Sequence, residues 1–139
     1  MIFDIDEGSV FDAPLEKVWR LMRSPMEHPH PSMKNFRAEP TADPSVVNAS
    51  WETEWRGSTF KVKAKFVMFP PLGFAVDFVE GPLTGKGFTY YIPMGDKTGI
   101  TCVGHYGAKG VSDDELKAVV AEMHAKAFEE DVENLAKMK

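Results

Sequence analysis

The most regular pattern in this sequence lies between residues 60 and 68. Apolar side chains occupy every second position and lysines occupy the positions between them: Phe60, Val62, Ala64, Phe66 and Met68 against Lys61, Lys63 and Lys65. A period of two is that of a β-strand with one face covered and the other in water. The chain must therefore supply a layer that covers one face of a sheet.

Similar strands flank this segment. Residues 47–55 alternate in the same way, and they carry Trp51 and Trp55 on the more apolar face. Turn residues follow at Arg56-Gly57, Pro70–Gly73, Gly81-Pro82 and Gly95–Lys97. Between these turns the covered faces are expected to carry Phe74, Val76 and Phe78, then Phe88, Tyr90, Ile92 and Met94. With a first strand over residues 2–11, the pattern predicts an antiparallel meander.

Two helices are predicted around the strands. Asp12-Ala13-Pro14 is typical of a short helix with an acid as its cap and proline in its first turn. Ser112 and Glu115 have the spacing of a capping box, which predicts a terminal helix over residues 112–139. Its apolar positions recur at helical spacing: Leu116, Val119, Val120, Met123, Ala127, Phe128, Val132 and Leu135. Strands followed by one long helix favour an α+β fold, with the helix lying across the sheet.

Composition narrows the classes of protein. The 139 residues suit one domain, residues 1–139, and 43% of them are hydrophobic. A net charge of −5 and the lack of a basic cluster argue against a nucleic-acid partner. The single cysteine, Cys102, excludes an internal disulfide. An acidic N-terminus without a signal-peptide pattern, and no apolar run long enough to span a membrane, predict a cytoplasmic protein.

The segment from Val10 to Trp19 (VFDAPLEKVW) resembles the first strand and helix start of the START-like, polyketide-cyclase-like (SRPBCC) superfamily. The terminal helix matches as well, so the resemblance covers the whole chain. It implies the helix-grip fold: a curved antiparallel sheet of about six to seven strands wrapped around a long C-terminal helix, with a short helical segment after strand 1. It also implies an internal cavity for an apolar or amphipathic ligand.

The function predicted is the binding, transport or sequestration of a hydrophobic or amphipathic small molecule, such as a lipid, isoprenoid or aromatic metabolite. The candidate ligand-binding residues are Trp51, Trp55, Phe60, Val62, Phe66, Phe78, Phe88, Tyr90, Ile92, Met123, His124, Ala127, Phe128 and Asp131. Each aromatic residue is also typical of a plain core, but together they exceed what one helix of modest side chains covers. Two alternatives stay open: a cyclase- or dehydratase-like enzyme, and a co-chaperone-like module for protein interaction.

His124 and Asp131 stand out because they lie within the apolar arc of the terminal helix. Burying either group without a partner is costly. They could pair with each other, contact the polar end of a ligand, or find a strand residue or solvent at the helix edge. With Tyr90 they are also the acid–base groups that the enzyme alternative would need.

The other histidines raise the question of a metal. His28 and His30 follow the first helix, and a meeting of either with His124 could bind zinc. The short paired spacings of zinc motifs are missing, so we expect neither a metal nor a cofactor, and no catalytic residue is assigned.

The hairpin tip over residues 68–74 is unusually apolar. Such tips serve as gates, or as contacts for a protein or a membrane, or they fold back onto the sheet. A transient contact through this tip, and a monomer or weak dimer, are therefore the expected associations.

Overall fold

The structure is a computed structural model that describes residues 2–138, with every side chain in that range except those of Phe3 and Glu7. The elements within it are β1 (Ile2–Phe11), α1 (Leu15–Met22), β2 (Lys34–Pro40), β3 (Val46–Trp55), β4 (Ser58–Phe69), β5 (Gly73–Glu80), β6 (Thr84–Met94), β7 (Lys97–Gly107) and α2 (Asp113–Lys137).

The strands form one sheet of seven strands in the order β1-β7-β6-β5-β4-β3-β2. Every neighbouring pair is antiparallel. The predicted α+β class, the strand number and the long terminal helix are therefore confirmed. From here on, the inner face is the side that carries Trp51, Ala64 and Cys102, and the outer face is the side that carries Lys61, Lys63 and Lys65.

The turn between β3 and β4 shows how the sequence fixes this register. Arg56 and Gly57 have φ of 50° and 80°, and Trp55 pairs directly with Ser58 across them. Two consecutive residues with positive φ make the hairpin turn whose twist matches that of the strands, and glycine adopts the second position without strain. The turn sets the pairing that puts Trp51 opposite Val62 on the inner face.

The helix α2 begins as predicted and packs along the inner face. Ser112 is its N-cap, and the serine hydroxyl oxygen accepts a hydrogen bond from the Glu115 N–H at 3.3 Å. The first half of the helix buries Leu116 and Val120 against Trp55 and Tyr106. The second half packs against a cluster shared by β1, α1, β6 and β7, with Phe11, Val18, Trp19, Tyr91, Ile100 and Leu135 as members.

The start of α1 differs from the prediction. Pro14 occupies the N-cap position and no side chain caps the helix, so Asp12 is not the cap. The Asp12 carboxylate instead accepts a hydrogen bond from Lys97 Nζ at 3.1 Å. A lysine on β7 reaches this carboxylate because β1 and β7 are paired, with Phe11 opposite Thr98.

The predicted phase of β6 is wrong. Phe88, Tyr90, Ile92 and Met94 are between 37% and 51% exposed on the outer face, while Gly87, Thr89 and Tyr91 point inward. Two local causes select this phase. Lys86 has the same parity as Phe88, so the opposite phase would bury an amine. Gly87 also lies under the ring of Tyr106, where a β-carbon would be 1.8 Å from the phenol oxygen.

Candidate functional site

Aromatic side chains on the inner face of β2–β5 form a wall on the side of the sheet along which α2 packs. Trp51 is central, with its ring centroid 5.9 Å from that of Phe36, 6.4 Å from that of Phe66 and 6.3 Å from that of Phe78. Trp51 and Val62 are buried, whereas Phe66 and Phe78 keep part of their surface exposed. Among the described residues, no member of this cluster comes from α2. The helix covers Trp55 and Phe78, which pack with Leu116 and Val120, but it contributes nothing to the cluster around Trp51.

The opposite wall is one side of α2. Met123, Ala127 and Glu130 recur at intervals of four and three, so they lie on one side of the helix. Glu130 contacts Ser32, which precedes β2, so this side faces the β2–β5 half of the sheet. Met123 is 39% exposed and Ala127 is partly buried. We call Met123, Ala127 and Glu130 the open flank of the helix.

Other predicted site residues lie elsewhere on the inner side. Trp55 is buried with Leu116 and Val120, and Phe128 stacks on Phe11 at a centroid distance of 4.7 Å. Both therefore contribute to the sealed core. Phe60 has the inner-face parity of Val62, but it is 39% exposed near the end of β4.

Three predicted site residues do not face this space. Phe88, Tyr90 and Ile92 lie on the outer face, as described above, at 37%, 43% and 45% exposure. Their placement with the ligand-binding residues is therefore corrected. The inward-facing neighbour of Tyr90 is Tyr91, which is buried in the sealed core.

His124 belongs to a polar cluster on the inner face. Its Nε2 is 2.8 Å from Asp6 Oδ2 on β1, and its ring also hydrogen bonds with the Cys102 side chain on β7. Cys102 Sγ lies 3.2 Å from Thr89 Oγ1 on β6. We call Asp6, Thr89, Cys102 and His124 the inner polar cluster. It explains why an imidazole lies within the apolar arc, because the sheet provides its partners.

Electrostatics favour the charged form of the histidine in this cluster. Burial alone would lower the pKa of His124, but its hydrogen bonds to Cys102 and Asp6 and the charge of the Asp6 carboxylate outweigh burial and raise that pKa. Burial likewise disfavours the Asp6 carboxylate, yet the hydrogen bonds from Ser9, His124 and Gly8 lower the Asp6 pKa. Both shifts favour an ion pair between His124 and Asp6 beneath the helix.

Asp131 has a different partner. His30 donates from Nε2 to Asp131 Oδ1 at 2.9 Å, and its Nδ1 is 3.2 Å from Glu130 Oε1. Glu130 also accepts hydrogen bonds from Ser32, at 2.9 Å from its N–H and 2.6 Å from its hydroxyl. We call His30, Ser32, Glu130 and Asp131 the loop–helix cluster. It fastens the proline-rich segment after α1 to the second half of α2.

Two carboxylates raise the pKa of His30 and so favour its protonated form. Burial would lower the pKa of His30, but the hydrogen bond and charge of Asp131, then those of Glu130, raise it above its ordinary value. Burial would raise the pKa of Glu130, and the hydrogen bonds from Ser32 and His30 lower it instead. Glu130 is buried, with only 8% of its surface exposed, and this pairing offsets the cost of burying its charge.

The groups considered for acid–base chemistry therefore do not converge. Tyr90 is on the outer face, His124 is paired with Asp6, and Asp131 is paired with His30. The contact that His30 makes is with two carboxylates of α2. Within residues 2–138, no group of three or more His, Cys, Asp and Glu side chains has an arrangement suited to a metal ion.

Sequence reasoning missed Glu130, Asp6 and Thr89. Glu130 is one of several acids at the edge of the helical arc, and only the position of Ser32 in space distinguishes it from its neighbours. A usable signal existed for Asp6, because Ser9 follows it at the spacing of a turn in which a carboxylate accepts backbone N–H groups. Asp6 Oδ1 indeed accepts from Gly8 and Ser9 at 3.1 and 3.0 Å.

A separate cleft of about 820 Å³ lies on the outer face of β2–β4. Charged and amide side chains at its lining include Asn35, Arg37, Glu52, Lys61 and Lys63. Neighbouring groups satisfy several of them: Asn35 Nδ2 donates to Glu52 at 3.1 Å, and Lys63 Nζ is 3.5 Å from Glu80. Its lining also includes Ala49, Trp51 and Ala64, and no described residue of α2.

Comparison with solved structures identifies the architecture. Zhui aromatase/cyclase from Streptomyces sp. R1128 superposes with a TM-score of 0.81 at 11% identity, covering 99% of this chain and 95% of that one. A START superfamily protein from Mycobacterium smegmatis has a TM-score of 0.81 at 13% identity, covering 99% of both chains. The chain has the START-like helix-grip fold. Ara h 8.0201 shares this START-like fold with a TM-score of 0.73 at 14% identity, covering 99% of this chain and all (100%) of that one.

Comparison by sequence finds no relative, in contrast to comparison by structure. No protein-family model matches the chain, and no curated protein matches its sequence. Within residues 2–138, none of the helices is both long enough and apolar enough to cross a membrane.

Proposed function

We propose that this START-like protein binds a hydrophobic or amphipathic small molecule between the inner face of β2–β5 and the open flank of α2. A lipid, an isoprenoid or an aromatic metabolite has the required chemistry. The polar groups of the inner polar cluster and of the loop–helix cluster are already paired, so the ligand is held mainly by apolar contacts.

One observation carries this proposal. The cluster around Trp51 contains no described residue of α2, and Phe66 on the sheet and Met123 on the helix keep apolar surface exposed. Exposed apolar surface of this kind normally marks a binding site. In the proposed site, Phe66 and Phe78 contact the ligand from the sheet, and Met123 and Ala127 contact it from the helix. The solved structures with this fold include an aromatase/cyclase, which supports a site for an apolar molecule.

The expected affinity follows from area. Removing about 300 Å² of apolar ligand surface from water contributes roughly 7 kcal/mol. Loss of ligand freedom offsets several kcal/mol of the gross gain from all contacts. The remainder corresponds to a dissociation constant on the order of millimolar, so a tighter ligand must bury more apolar surface than this.

The test fills the space from the helix side. N-phenyl-1-naphthylamine, an uncharged fluorescent probe, is titrated into the wild-type protein and into Ala127→Trp. The indole of Ala127→Trp would project from the open flank into the proposed site, so probe affinity should fall by at least about tenfold. Ala125→Trp is the matched control, because Ala125 is exposed on the same helix and its indole would project into solvent.

Two further variants keep the result interpretable. Met123→Ala is the substitute test if Ala127→Trp does not fold. It enlarges the same space without overpacking and should change probe affinity. Phe88→Lys reports any probe bound to the outer face. Equal binding by Ala127→Trp and Ala125→Trp, or loss of binding in Phe88→Lys alone, would refute the proposed site.

A further inference from the structure

The outer face of the sheet carries a continuous apolar surface that the proposed ligand site does not use. Its members are Phe69, Phe88, Tyr90, Ile92 and Met94, which we call the outer apolar patch. Phe88 links its two sides, with ring centroids 5.6 Å from Phe69 and 6.1 Å from Tyr90. Every member is between 37% and 51% exposed. Isolated exposed apolar residues are ordinary, but a connected row of them is not.

The patch is flat because glycine lies beneath it. Gly99 on β7 has the outer-face parity, and a β-carbon there would be 3.3 Å from Met94 Sδ and 3.5 Å from Ile92 Cβ. On the other side of β6, Gly73 pairs directly with Tyr90. With no side chains at these positions, the outer patch side chains lie over bare backbone, which suits the face-to-face packing of two sheets.

We propose that a second copy of this chain covers the outer apolar patch, in a symmetric dimer that packs β6 against β6. A two-fold interface presents the same surface on both partners, so one self-complementary patch is sufficient.

The area of the patch agrees with this occupant. Five large side chains exposed by 37–51% present on the order of 400 Å² of apolar surface. The partly buried outer-face residues Val67, Ala75 and Val103 extend it. A standard interface buries about 800 Å² per partner, and homodimer interfaces are about 65% apolar. The patch with its polar rim therefore meets the need of a modest homodimer.

The charges at the rim also fit a second copy. Lys86 Nζ is 4.0 Å from Asp77 Oδ2 near the Phe88 end, and Lys97 pairs with Asp12 near the Met94 end. Lys65 also flanks Asp77 at the Phe88 end, and exposed Asp96 adjoins Lys97 at the Met94 end. Both ends therefore carry charges of both signs, so a two-fold axis near Tyr90 brings acids of one copy close to lysines of the other. A membrane with anionic lipids favours a rim that is basic at both ends, and the Met94 end is not.

The test is the oligomeric state of the full chain. Sedimentation velocity and light scattering from about 1 to 100 µM should show a concentration-dependent dimer in the wild type. Tyr90→Lys places a charge at the centre of the patch and should weaken the dimer by at least about tenfold. Val132→Lys is the matched control, because Val132 is also 43% exposed but lies on α2, away from the patch. It should dimerise like the wild type.

A second variant tests the same interface if Tyr90→Lys does not fold. Ile92→Lys places a charge on the same exposed face and should also weaken the dimer, whereas Val132→Lys should not. A wild type that stays monomeric at about 100 µM overturns the proposal, whether or not it binds phosphatidylcholine vesicles. A dimer that is unchanged in Tyr90→Lys overturns it as well.

Discussion

Replacing Glu130 with glutamine tests whether the loop–helix cluster holds the proline-rich segment to α2. The substitution keeps the size and shape of the side chain and removes its charge. In the wild type, the carboxylate accepts from the Ser32 N–H at 2.9 Å and the Ser32 hydroxyl at 2.6 Å, and it is 3.2 Å from His30 Nδ1. The amide has one acceptor oxygen, so its NH₂ group must face at least one of these donors.

The magnitude follows from these contacts. A hydrogen bond to a charged group contributes about 1.5–3 kcal/mol net, and breaking a buried ion pair costs about 3–5 kcal/mol. Glutamine retains part of the network, so we expect Glu130→Gln to lower the free energy of unfolding by about 3 kcal/mol. For a chain of this size, that corresponds to a fall in Tm on the order of 10 °C.

The loss of stability in Glu130→Gln should depend on pH in a specific way. The pKa of His30 is raised, so its contribution is fully present below about 6.5 and is lost as the pH rises through the raised value. The pKa of Glu130 is lowered, so its contribution is present above about 4.5 and is lost as the pH falls through the lowered value. The gap between wild type and Glu130→Gln should therefore be larger at pH 6 than at pH 9.

Urea unfolding followed by tryptophan fluorescence measures both effects, with Glu129→Gln as the control. Glu129 is exposed on the preceding position of the same helix, so its loss should change stability by less than about 0.5 kcal/mol. If Glu130→Gln behaves like Glu129→Gln at pH 6, the loop–helix cluster contributes nothing and the reasoning is refuted.

Two further predictions concern the inner face. His124→Gln should lower stability more at pH 5.5 than at pH 9, because the raised pKa of His124 makes its pairing with Asp6 strongest below about 6.5; equal losses at both pH values in urea unfolding would contradict the ion pair. Gly104→Ala should lower the free energy of unfolding by at least about 2 kcal/mol, since its β-carbon would lie 2.1 Å from the Tyr106 ring. Recovery of stability in Gly104→Ala/Tyr106→Leu would identify the ring as the cause, and a fully stable Gly104→Ala would exclude the clash.

The fold was largely predictable because its signals are local. Alternation from Phe60 to Met68, the Arg56-Gly57 turn and the Ser112 cap each act within a few residues, and the structure has all three. The phase of β6 was not recovered from hydrophobicity alone. Both faces of that strand carry aromatic residues, and the decision depends on Lys86 and on the Tyr106 ring lying over Gly87.

The site was only partly predictable, for a different reason. His124 and Asp131 were recognisable as unusual, but their partners lie far along the chain: Asp6 on β1 and His30 after α1. Such pairs depend on the tertiary packing of elements, which periodicity does not encode. The direction in which Glu130 points is set in the same way, by contact with a loop that has no regular pattern.

The unequal support of α2 has a kinetic consequence. One side of the helix is held by the His124–Asp6 ion pair and the sealed core, and its second half is held to the loop by Glu130. The cluster around Trp51 includes no described residue of the helix, although Trp55 and Phe78 on the same strands pack with Leu116 and Val120. Separation of these two surfaces would therefore break few contacts, so amide hydrogen exchange in β3 and β4 should be faster than in β7. A guest molecule could then enter and leave at the rate of that local opening, while the helix itself stays folded.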